Sequence, residues 1–100
     1  MRGILIDPGE APEIRRLPNT EQELAELAGG LLQRRPIRHR FAALLFVPLR
    51  GHALPTRIYD GSWYYGRLLI VGWRNNRMTD LSRNDAEDLA RRWNRMEVEP

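Results

Sequence analysis

The chain has 100 residues and no cysteine, which points to a single domain over residues 1–100 with one modest core and excludes a disulfide framework or a thiolate metal site. Its 16 cations are all arginine and stand against 13 acids, a net charge of +3 that by itself selects no partner. The lack of lysine fits a G+C-rich coding bias and says more about the genome than about the protein.

Residues 3–6 predict a strand, Pro8-Gly9 a turn, and residues 13–17 a second extended segment. Thr20 with Glu23 has the capping-box spacing, in which the hydroxyl satisfies an open N–H and the carboxylate reaches back to the cap. Leu24, Leu27 and Ala28 then share a helical face, and Gly29-Gly30 supplies the stop. Leu31 would continue the periodicity, but two consecutive glycines inside a helix cost roughly 2 kcal/mol relative to alanine. Residues 41–47 are apolar on both alternating faces, as in a strand covered on both sides, and Pro48 ends them. Residues 66–73 have the same character, and Asn75-Asn76 suits the tight turn that follows. Ser82 with Asp85 caps a last helix whose apolar face is Ala86, Leu89, Ala90 and Trp93. This order predicts an α+β fold: a small mixed, mostly antiparallel sheet packed against two helices.

The first residues reach Asp7-Pro8 after only three apolar positions, too short for a signal-peptide core. The longest apolar run, residues 41–49, has nine residues where a bilayer span needs about 20. A soluble cytoplasmic protein without a membrane partner is expected.

No catalytic constellation stands out. His39 and His52 are not spaced as a helical metal pair, have no clustered carboxylates beside them, and are expected as exposed loop residues. Ser62 lacks a nucleophile-elbow context, and Ser82 reads better as a helix cap. Asp60 would serve as a buried base with a raised pKa, but Asp60-Gly61 is a common turn dipeptide and a turn is preferred. Gly29-Gly30 follows a helix rather than opening one, so it is no phosphate loop. No enzymatic activity, metal or cofactor is expected.

Charge is divided sharply along the chain. Residues 1–33 carry three arginines against six acids, residues 34–77 nine arginines against Asp60 alone, and residues 78–100 four arginines against six acids. The central segment, at +8, also holds both histidines and seven of the eight aromatic residues. Within it Arg34, Arg35, Arg38, His39 and Arg40 crowd into seven positions, and Pro36 keeps this stretch in a loop or an extended edge. Planar guanidinium forks grip phosphates or carboxylates and stack on bases, so these residues with Arg50 are the candidate face for nucleic acid or an acidic host protein. Arg74 and Arg77 would extend the same positive field. Trp63 and Tyr65 offer stacking surfaces, and Arg57 or Arg67 would hold a phosphate if the ligand were instead a small anion such as a signalling nucleotide. Against both stand two plainer readings. Arginine is the default surface cation of a lysine-free chain, and large aromatics ordinarily complete a core. Self-association through a sheet edge is a further expectation. The last helix places its acids early and its arginines late, which complements the helix dipole and describes a solvated, self-paired face.

The opening Met1-Arg2-Gly3-Ile4-Leu5-Ile6-Asp7-Pro8-Gly9, the helix end Leu27-Ala28-Gly29-Gly30, the strand Gly66-x-x-x-Ile70-Val71-Gly72 and the cap Leu81-Ser82-x-x-Asp85 come in a recognisable order. Together they resemble the small family called domain of unknown function 3846, found mainly in phages and mobile elements, over most of the chain. Where that family carries an Asn-Glu-Glu-Gly-like turn, this chain has Val47-Pro48-Leu49-Arg50-Gly51-His52. Of a Gly-Leu-Pro-x-Asn-Arg stretch it keeps Leu54-Pro55-Thr56-Arg57. The resemblance implies a setting rather than an activity: a non-enzymatic accessory protein in a bacterial host, of the kind that antagonises host defence.

Overall fold

Three strands are apolar on both of their faces, and a sheet built around them needs a cover on each side. A computed structural model describes residues 1–39, 41–48 and 54–96. In it β1 (Arg2–Ile6), β4 (Ala42–Phe46) and β7 (Leu68–Arg74) form the middle of a sheet of order β2-β1-β7-β4-β3, with β2 (Glu13–Arg16) and β3 (Gln33–Pro36) at its edges. A short β8 (Arg77–Thr79) pairs with the last residues of β7. Every pairing among the described residues is antiparallel. The register sets Ile4, Ile70 and Leu44 side by side across the three central strands.

Alternation then divides the core in two. Ile4, Ile6, Ala42, Leu44, Leu68 and Ile70 pack beneath α2 (Arg83–Asn94) and a separate hairpin formed by β5 (Pro55–Tyr59) and β6 (Ser62–Tyr65). Leu5, Leu45, Leu69 and Val71 pack on the other side with Leu17 and with Leu24 of α1 (Glu21–Ala28). The result is an α+β fold with a two-sided antiparallel sheet and two helices, as the sequence predicts. No helix among the described residues is long and apolar enough to cross a membrane.

Local chemistry sets the element ends. Thr20 Oγ1 accepts from the Glu23 N–H at 3.2 Å and donates to Glu23 Oε1 at 3.0 Å. The cap therefore forms, while the carboxylate takes the hydroxyl rather than reaching the cap N–H. Gly29 closes α1 at φ 91°, donating to Ala25 O. Ser82 caps α2 by accepting from the Asp85 N–H at 3.1 Å, and Ala86, Leu89 and Trp93 are its buried face. Asn75 and Asn76, at φ 52° and 60°, make the two-residue turn between β7 and β8.

The β5–β6 hairpin and β8 depart from the sequence expectation, in which Asp60-Gly61 and Asn75-Asn76 are turns but the flanking strands are not all anticipated. Arg57, at the centre of β5, reads as a solvent residue and hides the strand, although it is fully buried. Gly72 lies where β8 leaves β7. A Cβ there would stand 2.6 Å from Thr79 Oγ1 and 2.7 Å from the carbonyls of Thr79 and Asp80. Gly72→Ala is accordingly expected to lower unfolding free energy by about 2 kcal/mol, read as a shift of the urea midpoint; an unchanged midpoint would refute this crowding.

Candidate functional site

Pro36 places the arginine run on the edge strand β3, and pleating then separates its members. Arg34 pairs with Leu45, on the α1 side of the sheet, and Arg35 with Leu44, on the hairpin side. The run does not form one face. Arg35 lies over the rings of Tyr59 and Tyr64, at 5.1 and 5.8 Å, donates to the Tyr64 hydroxyl, and reaches Asp60 Oδ2 at 3.1 Å. Arg38 donates to Asp60 Oδ1 at 2.9 Å, and its backbone N–H donates to the Tyr59 hydroxyl at 2.6 Å. Asp60, in the turn at φ 49°, thus ties both arginines to the β5–β6 hairpin. The turn expected at Asp60-Gly61 is present, and its carboxylate is bound rather than available as a base.

The phosphate holders expected among Arg57 and Arg67 are engaged elsewhere. Arg57 is 0% exposed, and its Nε, Nη1 and Nη2 donate to the carbonyls of Trp93, Thr56 and Glu10 at 2.7, 2.6 and 2.6 Å. That guanidinium joins β5, the end of α2 and the loop after β1, and offers no surface to a ligand. Arg67 grips Asp7 with two bonds, 2.7 and 3.1 Å, and donates to Leu27 O at 3.2 Å.

Hydrogen bonding to Tyr64 raises the Arg35 pKa, with burial opposing and the Asp60 charge assisting. Hydrogen bonding to Asp7 likewise raises that of Arg67 against the cost of burial. A pKa raised in the folded state contributes stability that is present below the unfolded value and lost as pH climbs through the folded one. For guanidinium groups that window is strongly alkaline, so neither pair makes stability pH-dependent near neutrality.

The three consecutive aromatic residues Trp63, Tyr64 and Tyr65 also divide. Tyr64 is buried and meets Phe46 edge-on at 5.0 Å, Trp63 is 51% exposed, and Tyr65 is half-buried. His39, expected as an exposed loop residue, has a side chain only 14% exposed. Its Nε2 stands 3.4 Å from Asp85 Oδ1 in the first turn of α2, and its Nδ1 accepts from the Phe41 N–H at 3.5 Å. Arg40, Arg50 and His52 lie outside the described residues.

Besides Arg57, which is bound by carbonyls, three described arginines of the basic segment have no carboxylate paired with them: Arg34, Arg74 and Arg77. Arg34 lies 4.5 Å above the Trp73 ring, and Arg74 lies 3.6 Å above the Phe41 ring. Phe41 and Trp73 meet at one end of the sheet, where the Trp73 N–H donates to Phe41 O at 2.9 Å. Arg77 faces Arg74 directly across the Asn75-Asn76 turn. Like charges directly opposite on paired strands destabilise a hairpin, and no carboxylate among the described residues is bound to either. Asp80 and Asp85 line the same cleft as Arg74 and Phe41 on the α2 side without an ion pair to Arg74, and Asp80 Oδ1 accepts instead from the Arg2 backbone N–H at 2.6 Å.

On the α1 side of this end is a cleft of about 230 Å³ lined by Leu32, Arg34, Leu45, Trp73, Arg77 and Met78, with Glu21 on its lining as well. Sequence reasoning names Arg34 and treats Arg74 and Arg77 only as an extension of the field, and it leaves Trp73 as a strand end. The signal it passes over is Trp73-Arg74-Asn75-Asn76-Arg77, a turn flanked by like charges and an aromatic ring. Among the described residues no group of three His, Asp or Glu side chains is placed to hold a metal ion.

No family model, curated protein or solved structure matches this chain.

The two classes of arginine separate by mutation. Arg57→Ala leaves three carbonyls without their donor, two of them in fully buried bonds, and is expected to cost more than about 3 kcal/mol of stability. Arg34→Ala and Arg77→Ala should each stay within about 1 kcal/mol. Denaturant titration of the three variants checks this, and a mild Arg57→Ala would contradict the structural assignment.

Proposed function

We propose that this protein is a non-catalytic binding module for nucleic acid, engaging phosphates through Arg34, Arg74 and Arg77 at the Trp73 end of the sheet. The observation that carries the reading is the allocation of acids. Arg35, Arg38 and Arg67 are held by Asp60 and Asp7, and Arg57 by carbonyls, whereas these three are backed by aromatic rings or opposed by like charge. A like-charged pair costs stability in the free protein, and a bound phosphate relieves that cost. Contact with the Trp73 and Phe41 rings also holds two guanidinium groups in place in advance, so less side-chain entropy is lost on binding.

The resemblance of its motif order to the domain of unknown function 3846 family favours a phage or mobile-element setting, in which such a module would act as a counter-defence factor in the bacterial host. Sequestration of a small anion by Trp63 and Tyr65 with Arg57 or Arg67 is less favoured, because neither guanidinium is open. An acidic host protein surface is the competing partner, and it separates from nucleic acid by the form of its salt dependence.

Counterion release makes log K fall linearly with log salt, with a slope of about 0.7 to 0.9 per phosphate neutralised. Fluorescence anisotropy on a labelled oligonucleotide should show this dependence. The double variant Arg34→Ala, Arg77→Ala should flatten the slope by about 1.5 while melting as the parent does. Binding indifferent to salt, or a slope unchanged in the double variant, would defeat the proposal.

A further inference from the structure

The cleft beside Arg34 has a lining that phosphate binding alone does not explain. Its floor and walls are Leu32, Leu45, Trp73 and Met78, of which Leu45 is buried and the other three partly exposed. A phosphate gains nothing from such a surface, and Glu21 on the same lining repels one. An uncharged planar group suits it. Arg34, above the Trp73 ring at 4.5 Å, offers a planar guanidinium on which a base can stack as it would on an aromatic face. With Arg34 and Arg77 both on the lining, apolar cleft and cationic rim lie side by side, as a nucleotide's base and phosphate do.

We infer that this cleft takes one unpaired base, so that the protein prefers single-stranded nucleic acid to a duplex. The inference rests on the nucleic-acid reading above and sharpens it. In a duplex the base faces are buried in the stack, and only backbone and groove edges reach the protein, so a recessed cleft about 230 Å³ in volume cannot be filled. In a single strand the base swings out, and its stacking adds to the phosphate contacts. Recognition is by shape and π-stacking rather than by base-edge bonds, so sequence preference should be weak.

The test varies the ligand, so that it does not depend on any variant folding. Three labelled probes are compared by anisotropy at one salt concentration: an oligothymidylate of twelve nucleotides, a twelve-residue strand of abasic sites with the same phosphates, and a twelve-base-pair duplex. The expected result is that the thymidylate binds about tenfold or more tighter than the abasic strand, and tighter than the duplex. Trp73→Leu, checked by its melting curve, should bring the thymidylate to the level of the abasic strand. Equal, salt-sensitive binding of thymidylate and abasic strand would overturn base capture and leave the phosphate reading in place. No salt-sensitive binding of any probe would overturn both.

Discussion

A sheet buried on both faces leaves no room for charge between its layers, and that constraint positions nearly everything else in this protein. Ile4, Leu5, Ile6, Leu44, Leu45, Leu69, Ile70 and Val71 occupy successive positions of three strands and go to both sides, so β1, β4 and β7 must be central and each face must be covered. The arginines of a strongly cationic segment are thereby driven to the edges and ends of the sheet. Those on β3 alternate between faces and meet different surroundings: Arg34 meets Trp73, and Arg35 meets Tyr59, Tyr64 and Asp60. Arg57 is the exception, admitted to the interior because three carbonyls meet its donors. A buried cation without them would carry a desolvation penalty no hairpin of this size could offset.

Which arginine is free for function follows from where the few acids fall. Asp60 is the sole acid of the +8 segment, and it is spent on Arg35 and Arg38, fastening the β5–β6 hairpin to the edge of the sheet. Asp7 comes from the acidic first segment and is spent on Arg67. At the Trp73 end of the sheet no carboxylate among the described residues pairs with Arg34, Arg74 or Arg77, and the first two are supported by aromatic rings instead. The concentration of charge in the sequence thus overstates the binding surface: much of it holds the fold together, and a smaller, more defined group is left to meet a partner.

The features legible in the sequence are those decided by neighbours. Thr20 and Ser82 announce helix starts because a cap is a local bond, Gly29 a helix end because its φ is positive, and Asn75-Asn76 a turn for the same reason. The doubly apolar strands are legible because period and composition agree. The β5–β6 hairpin is not, because its central Arg57 is made tolerable only by carbonyls at Glu10 and Trp93, which lie 47 and 36 residues away. The candidate site is legible in part. Arg34 stands in the basic run, but its pairing with Trp73 joins residues far apart in sequence, and the sorting of arginines by Asp7 and Asp60 is a tertiary fact.

The indole N–H resonances of Trp63, Trp73 and Trp93 report directly on the central claim, since these three tryptophans lie in different surroundings: an exposed hairpin strand, the arginine-backed cleft, and the core under α2. Titrating a single-stranded oligonucleotide into the labelled protein and following the three signals by nuclear magnetic resonance locates the contact surface. The Trp73 signal should shift, with those of Trp63 and Trp93 nearly still. A shift confined to Trp63, with Trp73 unmoved, would place binding on the hairpin and contradict that claim.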